Sequence, residues 1–215
     1  MLKWDPAVIY LFVMSEFSDS SLPNNAPNVY SDEFQQSIDA RLDQKRQKFI
    51  VDDERHRDQL RNRGFGEKED NDYVLKSYEA LYLSYTKRLI IKGKDDVVGF
   101  DDLVKILIKR DRNILTRFMV YRDLRSRGYI PKEGFGFGVD FRVYERGEYE
   151  KKPAKYVVFG ISEGTKIKAD KLAKIINQIS RMGKDAVIAV IERRGEVIYY
   201  KISKASFPIM DKLSY

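Results

Sequence analysis

The chain has 215 residues, 43% of them hydrophobic, with a net charge of +7 and a sequence pI near 9.3. That length suits one large domain or two small ones, with enough apolar residues for a sizeable core. Cysteine is absent, which excludes disulfides and thiolate metal sites and fits a reducing cytoplasm or a heat-adapted protein.

The most apolar early stretch, Ala7 to Met14, is too short to span a bilayer, and no longer apolar run follows it. Nothing here calls for a membrane. Met1 to Pro6 offsets Lys3 with Asp5 and forms no basic leader, which argues against a signal peptide. Ser18 to Asn28 holds two prolines and three asparagines and reads as a loop. Ser31 to Lys48 carries Phe34, Ile38 and Leu42 at a spacing of four. That stripe predicts a helix, packed on this protein or on a partner. Residues 1–50 are thus expected to be an N-terminal extension or docking segment.

Asp52 to Arg63 reads as a helix ending at Gly64. Phe65-Gly66 and the charged run Glu67 to Asp72 read as a loop. Tyr73 to Arg88 predicts a strong helix whose buried face includes Leu75, Tyr78, Leu81 and Tyr85. Leu89 to Ile91 reads as a short strand and Phe100 to Lys109 as another helix. Asn113 can cap a further helix, Ile114 to Arg127, that stops at Gly128. The domain boundary is placed at Asp111-Arg112-Asn113, giving domains over 51–112 and 113–215.

Beyond that boundary the charge changes. Asn113 to Tyr215 has a net charge of +9, whereas Met1 to Arg112 has −2. A basic half beside a near-neutral one suggests contact with a polyanion. Phe137 to Tyr144 and Tyr156 to Ile161 read as strands, and Ala169 to Met182 as an amphipathic helix ended by Gly183. Ala186 to Ile191 is nearly all apolar, so it is expected at the centre of a sheet. A turn over Glu192 to Gly195 leads into Glu196 to Ile202. The order implies an α+β protein: a mixed helical and strand domain, then a small α/β domain with a mixed sheet. Gly134, Gly136 and Gly138 precede a strand rather than a helix, so they are turn glycines and no dinucleotide loop.

One stretch is distinctive. Val120 to Gly147, VYRDLRSRGYIPKEGFGFGVDFRVYERG, resembles the entry to the catalytic domain of archaeal tRNA-splicing endonucleases. Tyr78 to Leu83 resembles the EALYL helix of their N-terminal domain, Arg63 to Gly66 the turn before it, and Ala186 to Tyr200 their final hairpin. The resemblance covers roughly 53–202. It implies a nuclease-like C-terminal domain and a metal-independent, cofactor-free reaction. In it a ribose 2′-hydroxyl attacks the adjacent phosphate, leaving 2′,3′-cyclic phosphate and 5′-hydroxyl ends. Such a reaction uses a base, an acid and a cation for the crowded phosphorane, which the family assigns to Tyr, His and Lys.

By the same resemblance, Tyr144 falls on the family tyrosine and Lys184 on the family lysine. From the residues alone, Tyr144 is an aromatic at a strand end and Lys184 a cation at a helix C-terminus. The histidine is the departure: Pro153 stands in its slot. His56, the only histidine, lies far upstream amid DERHRD and reads as a solvated helix residue. The family's base-stacking arginine corresponds to Asn177, with Arg181 one turn further on. Lys151, Lys152, Lys155 and Arg181 are candidate RNA contacts, or equally a solvated surface.

These features lead to a structural subunit of a heteromeric tRNA-splicing endonuclease. Its expected partners are precursor tRNA and a catalytic subunit carrying the missing histidine, assembled as a dimer of dimers. The strands at Tyr156 to Ile161 and Val197 to Ile202 are the expected subunit contacts, since the Glu192 to Glu196 loop is not clearly acidic. Two alternatives stand beside this: an active endonuclease whose acid is a lysine such as Lys152 or Lys155, and an RNA-binding assembly factor.

Overall fold

A computed structural model describes residues 11–16 and 37–205, apart from residues 47, 95, 137, 138 and 146. The expected loop over Ser18 to Asn28 lies outside the described residues. The first strand, β1 (Leu11–Glu16), joins the sheet of the C-terminal half. The N-terminal half has its own six-stranded sheet, ordered β4-β5-β3-β2-β6-β7. Its strands are β2 (Ile38–Asp43), β3 (Lys48–Ile50), β4 (Glu67–Glu69), β5 (Asp72–Leu75), β6 (Leu89–Lys92) and β7 (Val97–Val98). Three helices accompany it: α1 (Glu54–Asn62), α2 (Ser77–Tyr85) and α3 (Phe100–Ile108). The α1 helix begins where Asp53 accepts a hydrogen bond from the His56 backbone N–H at 3.0 Å, the normal helix-capping geometry.

Two expectations fail in this half. The helix expected over Ser31 to Lys48 is replaced, in its described part, by β2 and β3. Ile38 and Leu42 are four apart, which suits one face of a helix or one face of a strand. Ala40 decides between them: it is buried with both, so the buried positions recur every two residues. Both strands lie inside the sheet, β2 between β3 and β6, so residues 38–50 are part of this half rather than a separate extension. The second failure is the loop over Glu67 to Asp72, which is a hairpin of β4 and β5. Its charges are matched across strands, with Glu69 bonded to Lys48 at 2.5 Å and to Lys76 at 3.0 Å. Asp70 makes the turn at φ 53°. The helix expected from Tyr73 therefore starts at Ser77, and Tyr73 to Leu75 are buried strand residues.

The C-terminal half comprises α4 (Ile114–Ser126), β8 (Ile130–Gly136), β9 (Val139–Tyr144), β10 (Tyr156–Ser162), α5 (Ala169–Arg181), β11 (Asp185–Ile191) and β12 (Val197–Ala205). Its sheet runs β1-β12-β11-β10-β9-β8, with β10 and β11 parallel and the other pairs antiparallel. The mixed sheet and the central β11 match the sequence expectation. Alternation along the strands divides the core. Val158, Val187 and Ala189 face the large cluster that continues into the N-terminal half, while Val157, Phe159, Ala186 and Ile188 face α5 through Ile175, Ile176 and Ile179. Close packing of α4 on β10 relies on Gly160, where an added Cβ would come within 3.0 Å of Val120. Among the described residues no helix is long and apolar enough to cross a membrane.

The halves meet through α2 and α4. Tyr78, Tyr121 and Phe141 form the centre of the joint, with Tyr78 lying 4.9 Å from Tyr121 and 5.0 Å edge-on from Phe141 between ring centroids. A buried ion pair locks it. Lys132 Nζ of β8 donates to Gly66 O at 2.8 Å, Gly64 O at 3.2 Å and Glu79 Oε1 at 3.4 Å. Arg125 adds a hydrogen bond to Arg63 O at 2.9 Å and lies 3.7 Å over the Phe65 ring.

Candidate active site

Three strand ends meet at one edge of the C-terminal half. Strand β9 ends at Tyr144, β10 starts at Tyr156 and β11 starts at Asp185. Backbone bonds extend the ladder beyond the strands: Lys155 N donates to Val143 O at 3.2 Å, and Asp185 N donates to Lys155 O at 3.3 Å. Tyr144, the Pro153 to Lys155 segment and Lys184 are thereby set side by side across three neighbouring strands. Gly183 makes this possible for Lys184. At φ +65° it reverses the chain after α5, with Lys184 N still reaching back to Ile179 O at 3.4 Å. Lys184 then passes straight into β11.

Lys184 Nζ donates to Ala154 O at 2.7 Å. The ammonium is held against the segment that begins with Pro153, which is exposed. An ammonium has three N–H groups, so two remain for another acceptor. Tyr144 is half-buried and its ring meets that of Tyr149 edge-on at 5.2 Å. Burial raises the Tyr149 phenol above its ordinary pKa, helped by the nearby Glu150 carboxylate.

The other lysines are tied locally. Lys155 Nζ donates to Glu145 Oε1 at 2.6 Å, and Lys152 Nζ to Glu148 Oε1 at 2.5 Å. These carboxylates raise both lysines above their usual values. An acid working near neutral pH needs the opposite shift. Lys151 is exposed on the same loop, and Arg181 is exposed in the last turn of α5. Asn177 is half-buried on α5.

His56 belongs to the other half. Its Nδ1 accepts from the Asp39 backbone N–H at 3.4 Å, so the ring is half-buried and bonded, where a solvated one was expected. The strands expected to make subunit contacts, Tyr156 to Ile161 and Val197 to Ile202, lie inside the sheet. Strand β10 is flanked by β9 and β11, and β12 by β11 and β1, so neither presents a free edge. Sequence reading missed Phe135, which stands beside Lys184 with 6.0 Å between Nζ and the ring centroid. The signal was there: an aromatic set between Gly134 and Gly136 at a hairpin tip has little core to enter.

The fold is thus that of a two-sheet α+β protein with a tyrosine and a lysine set at one end of its C-terminal sheet. A family model described as "tRNA intron endonuclease, catalytic C-terminal domain" matches residues 114–199, and one described as "tRNA intron endonuclease, N-terminal domain" matches residues 40–104. The tRNA-splicing endonuclease of Methanococcus vannielii is 30% identical over 167 residues, 77% of this chain and 93% of that protein. That of Pyrococcus horikoshii is 30% identical over 146 residues, 68% of this chain and 84% of its own. That of Methanothermobacter thermautotrophicus is 31% identical over 139 residues, 64% and 81% of the two chains. The chain belongs to the tRNA intron endonuclease family.

Proposed function

We infer that this chain is a structural subunit of a heteromeric tRNA-splicing endonuclease. One observation carries the reading. The segment beside Lys184 offers Pro153 where an acid is required, and the nearest lysines are held protonated by Glu145 and Glu148. Among the described residues at this end of the sheet, a leaving 5′-oxygen would find no efficient proton donor. The scaffold around it is intact, from the joint at Tyr78 to the ladder at Lys155.

The partner then supplies the histidine and makes the cut. In the partner's site the 2′-hydroxyl attacks the adjacent phosphate, and the 5′-oxygen departs with a proton from the acid. This chain contributes the assembled surface and cations that hold precursor tRNA. Metal and cofactor have no part in the reading. Subunits would pair through sheet faces or through the β1 or β8 edge, since β12 is already paired on both sides. The same two lysines make the alternative of a lysine acid a poor one.

Reconstitution tests this. The purified chain should leave an intron-containing precursor tRNA uncut, and cutting should appear on mixing with a histidine-bearing subunit. Robust cleavage by the chain alone, abolished by Tyr144→Phe, would overturn the reading.

A further inference from the structure

Phe135 is 40% exposed, although most large apolar side chains here are buried. It stands near the tip of β8, where Gly136 takes φ +82°. Two cations flank its ring: the Arg142 guanidinium carbon at 5.1 Å from the centroid, and Lys184 Nζ at 6.0 Å. Arg142 is fixed in place by its Nε–H bond to Glu133 O at 2.8 Å. From the ring a small apolar depression runs over Val157, Ile179 and Met182, with Gln178 also in its lining. Its enclosed volume is about 10 Å³, room for about one water. A planar ligand cannot enter; it can only lie across the mouth, against the ring.

We propose that Phe135 is a stacking platform for an unpaired RNA nucleobase whose phosphate sits on Lys184 and Arg142. This rests on the reading that this end of the sheet meets RNA. An exposed aromatic beside fixed cations is the arrangement used for single-stranded nucleic acid, because every base has a π face and every nucleotide a phosphate. The Lys184 ammonium has N–H groups to spare beyond its bond to Ala154 O. Gln178 can meet a base edge as donor or acceptor, so the platform tolerates different bases. An acidic peptide would match the cations, but it has no need of an exposed aromatic ring.

The full-length chain is titrated with two RNA hairpins, one with an unpaired nucleotide and one abasic at that position. Phe135→Leu should weaken the first about tenfold and leave the second unchanged, while Phe135→Trp keeps wild-type affinity. A photoreactive 4-thiouridine at the unpaired position should crosslink to the peptide containing Phe135. Equal weakening of both hairpins, no weakening of either, or a crosslink elsewhere overturns the platform. So does loss of a co-purifying subunit from Phe135→Leu with RNA affinity intact, which would mark the face as a protein contact. The subunit role is judged separately by reconstituted cleavage. A Phe135→Leu mixture that still cuts, with unchanged RNA affinity, sinks the platform alone.

Discussion

Replacing Lys132 by methionine should cost about 3 kcal/mol of stability. Lys132 is 5% exposed and Glu79 is 0% exposed, so the pair is sealed from water. Methionine keeps most of the stem volume, which separates the charge effect from a cavity. The ammonium gone, Glu79 Oε1 loses its donor, and so do the carbonyls of Gly64 and Gly66. Breaking a buried pair by removing one partner costs roughly 3–5 kcal/mol. The low end applies because Glu79 Oε2 still accepts from Gly66 N at 3.1 Å and Lys76 N at 3.0 Å. Urea unfolding measures the loss as a midpoint lowered by about 1–3 M, for a slope typical of small proteins. Adding Glu79→Gln removes the stranded charge, so the double variant should be more stable than Lys132→Met alone. A loss under about 1 kcal/mol, or a double variant weaker than the single, refutes the view that this pair locks the joint.

Gly160→Ala pushes a Cβ to 3.0 Å from Val120 and 3.2 Å from Thr116; overpacking of this kind costs about 1–3 kcal/mol, read as a lower Tm. Lys48 and Lys76 hold the Glu69 carboxylate down to about 2 from its ordinary 4.5. Its contribution to stability is therefore complete above pH 4.5 and lost as pH falls toward about 2, and acid unfolding of Glu69→Gln should lack that component. If the chain is architectural, Tyr144→Phe should change reconstituted cleavage by no more than about twofold, against the roughly 10²–10⁴-fold expected from losing a working acid or base. Lys151→Ala should lower the slope of log affinity against log salt for RNA by about one if Lys151 contacts a phosphate, and an unchanged slope removes it from the interface.

The strong helices and apolar strands were legible because their buried positions repeat with a clear period. Strand β11 shows both a continuous apolar run and a central place in the sheet. The N-terminal half was harder to read. Ile38 and Leu42 fit two periods at once, and only pairing of β2 with β3 and β6 resolves them. The β4–β5 hairpin is so charged that it carries no hydrophobic pattern; its register is held by Lys48 and Lys76 from elsewhere in the chain. At the candidate site, motif resemblance and spacing pointed to Tyr144, Pro153 and Lys184 as expected positions. They could not show that Lys184 binds Ala154 O or that Lys155 turns away to Glu145. Those contacts depend on side-chain direction, which spacing does not encode.

The strand β1 pairs along β12 from Leu11↔Ala205 to Glu16↔Tyr200. An unpaired β12 would present a row of backbone donors and acceptors, the template on which stray chains aggregate. Here β1 covers that row, and the edge of the sheet passes to β1 itself. The exposed row is thereby shortened from the nine residues of β12 to the six of β1. A shorter edge offers stray chains less backbone to pair with, so selectivity along this side of the sheet rests more on side chains.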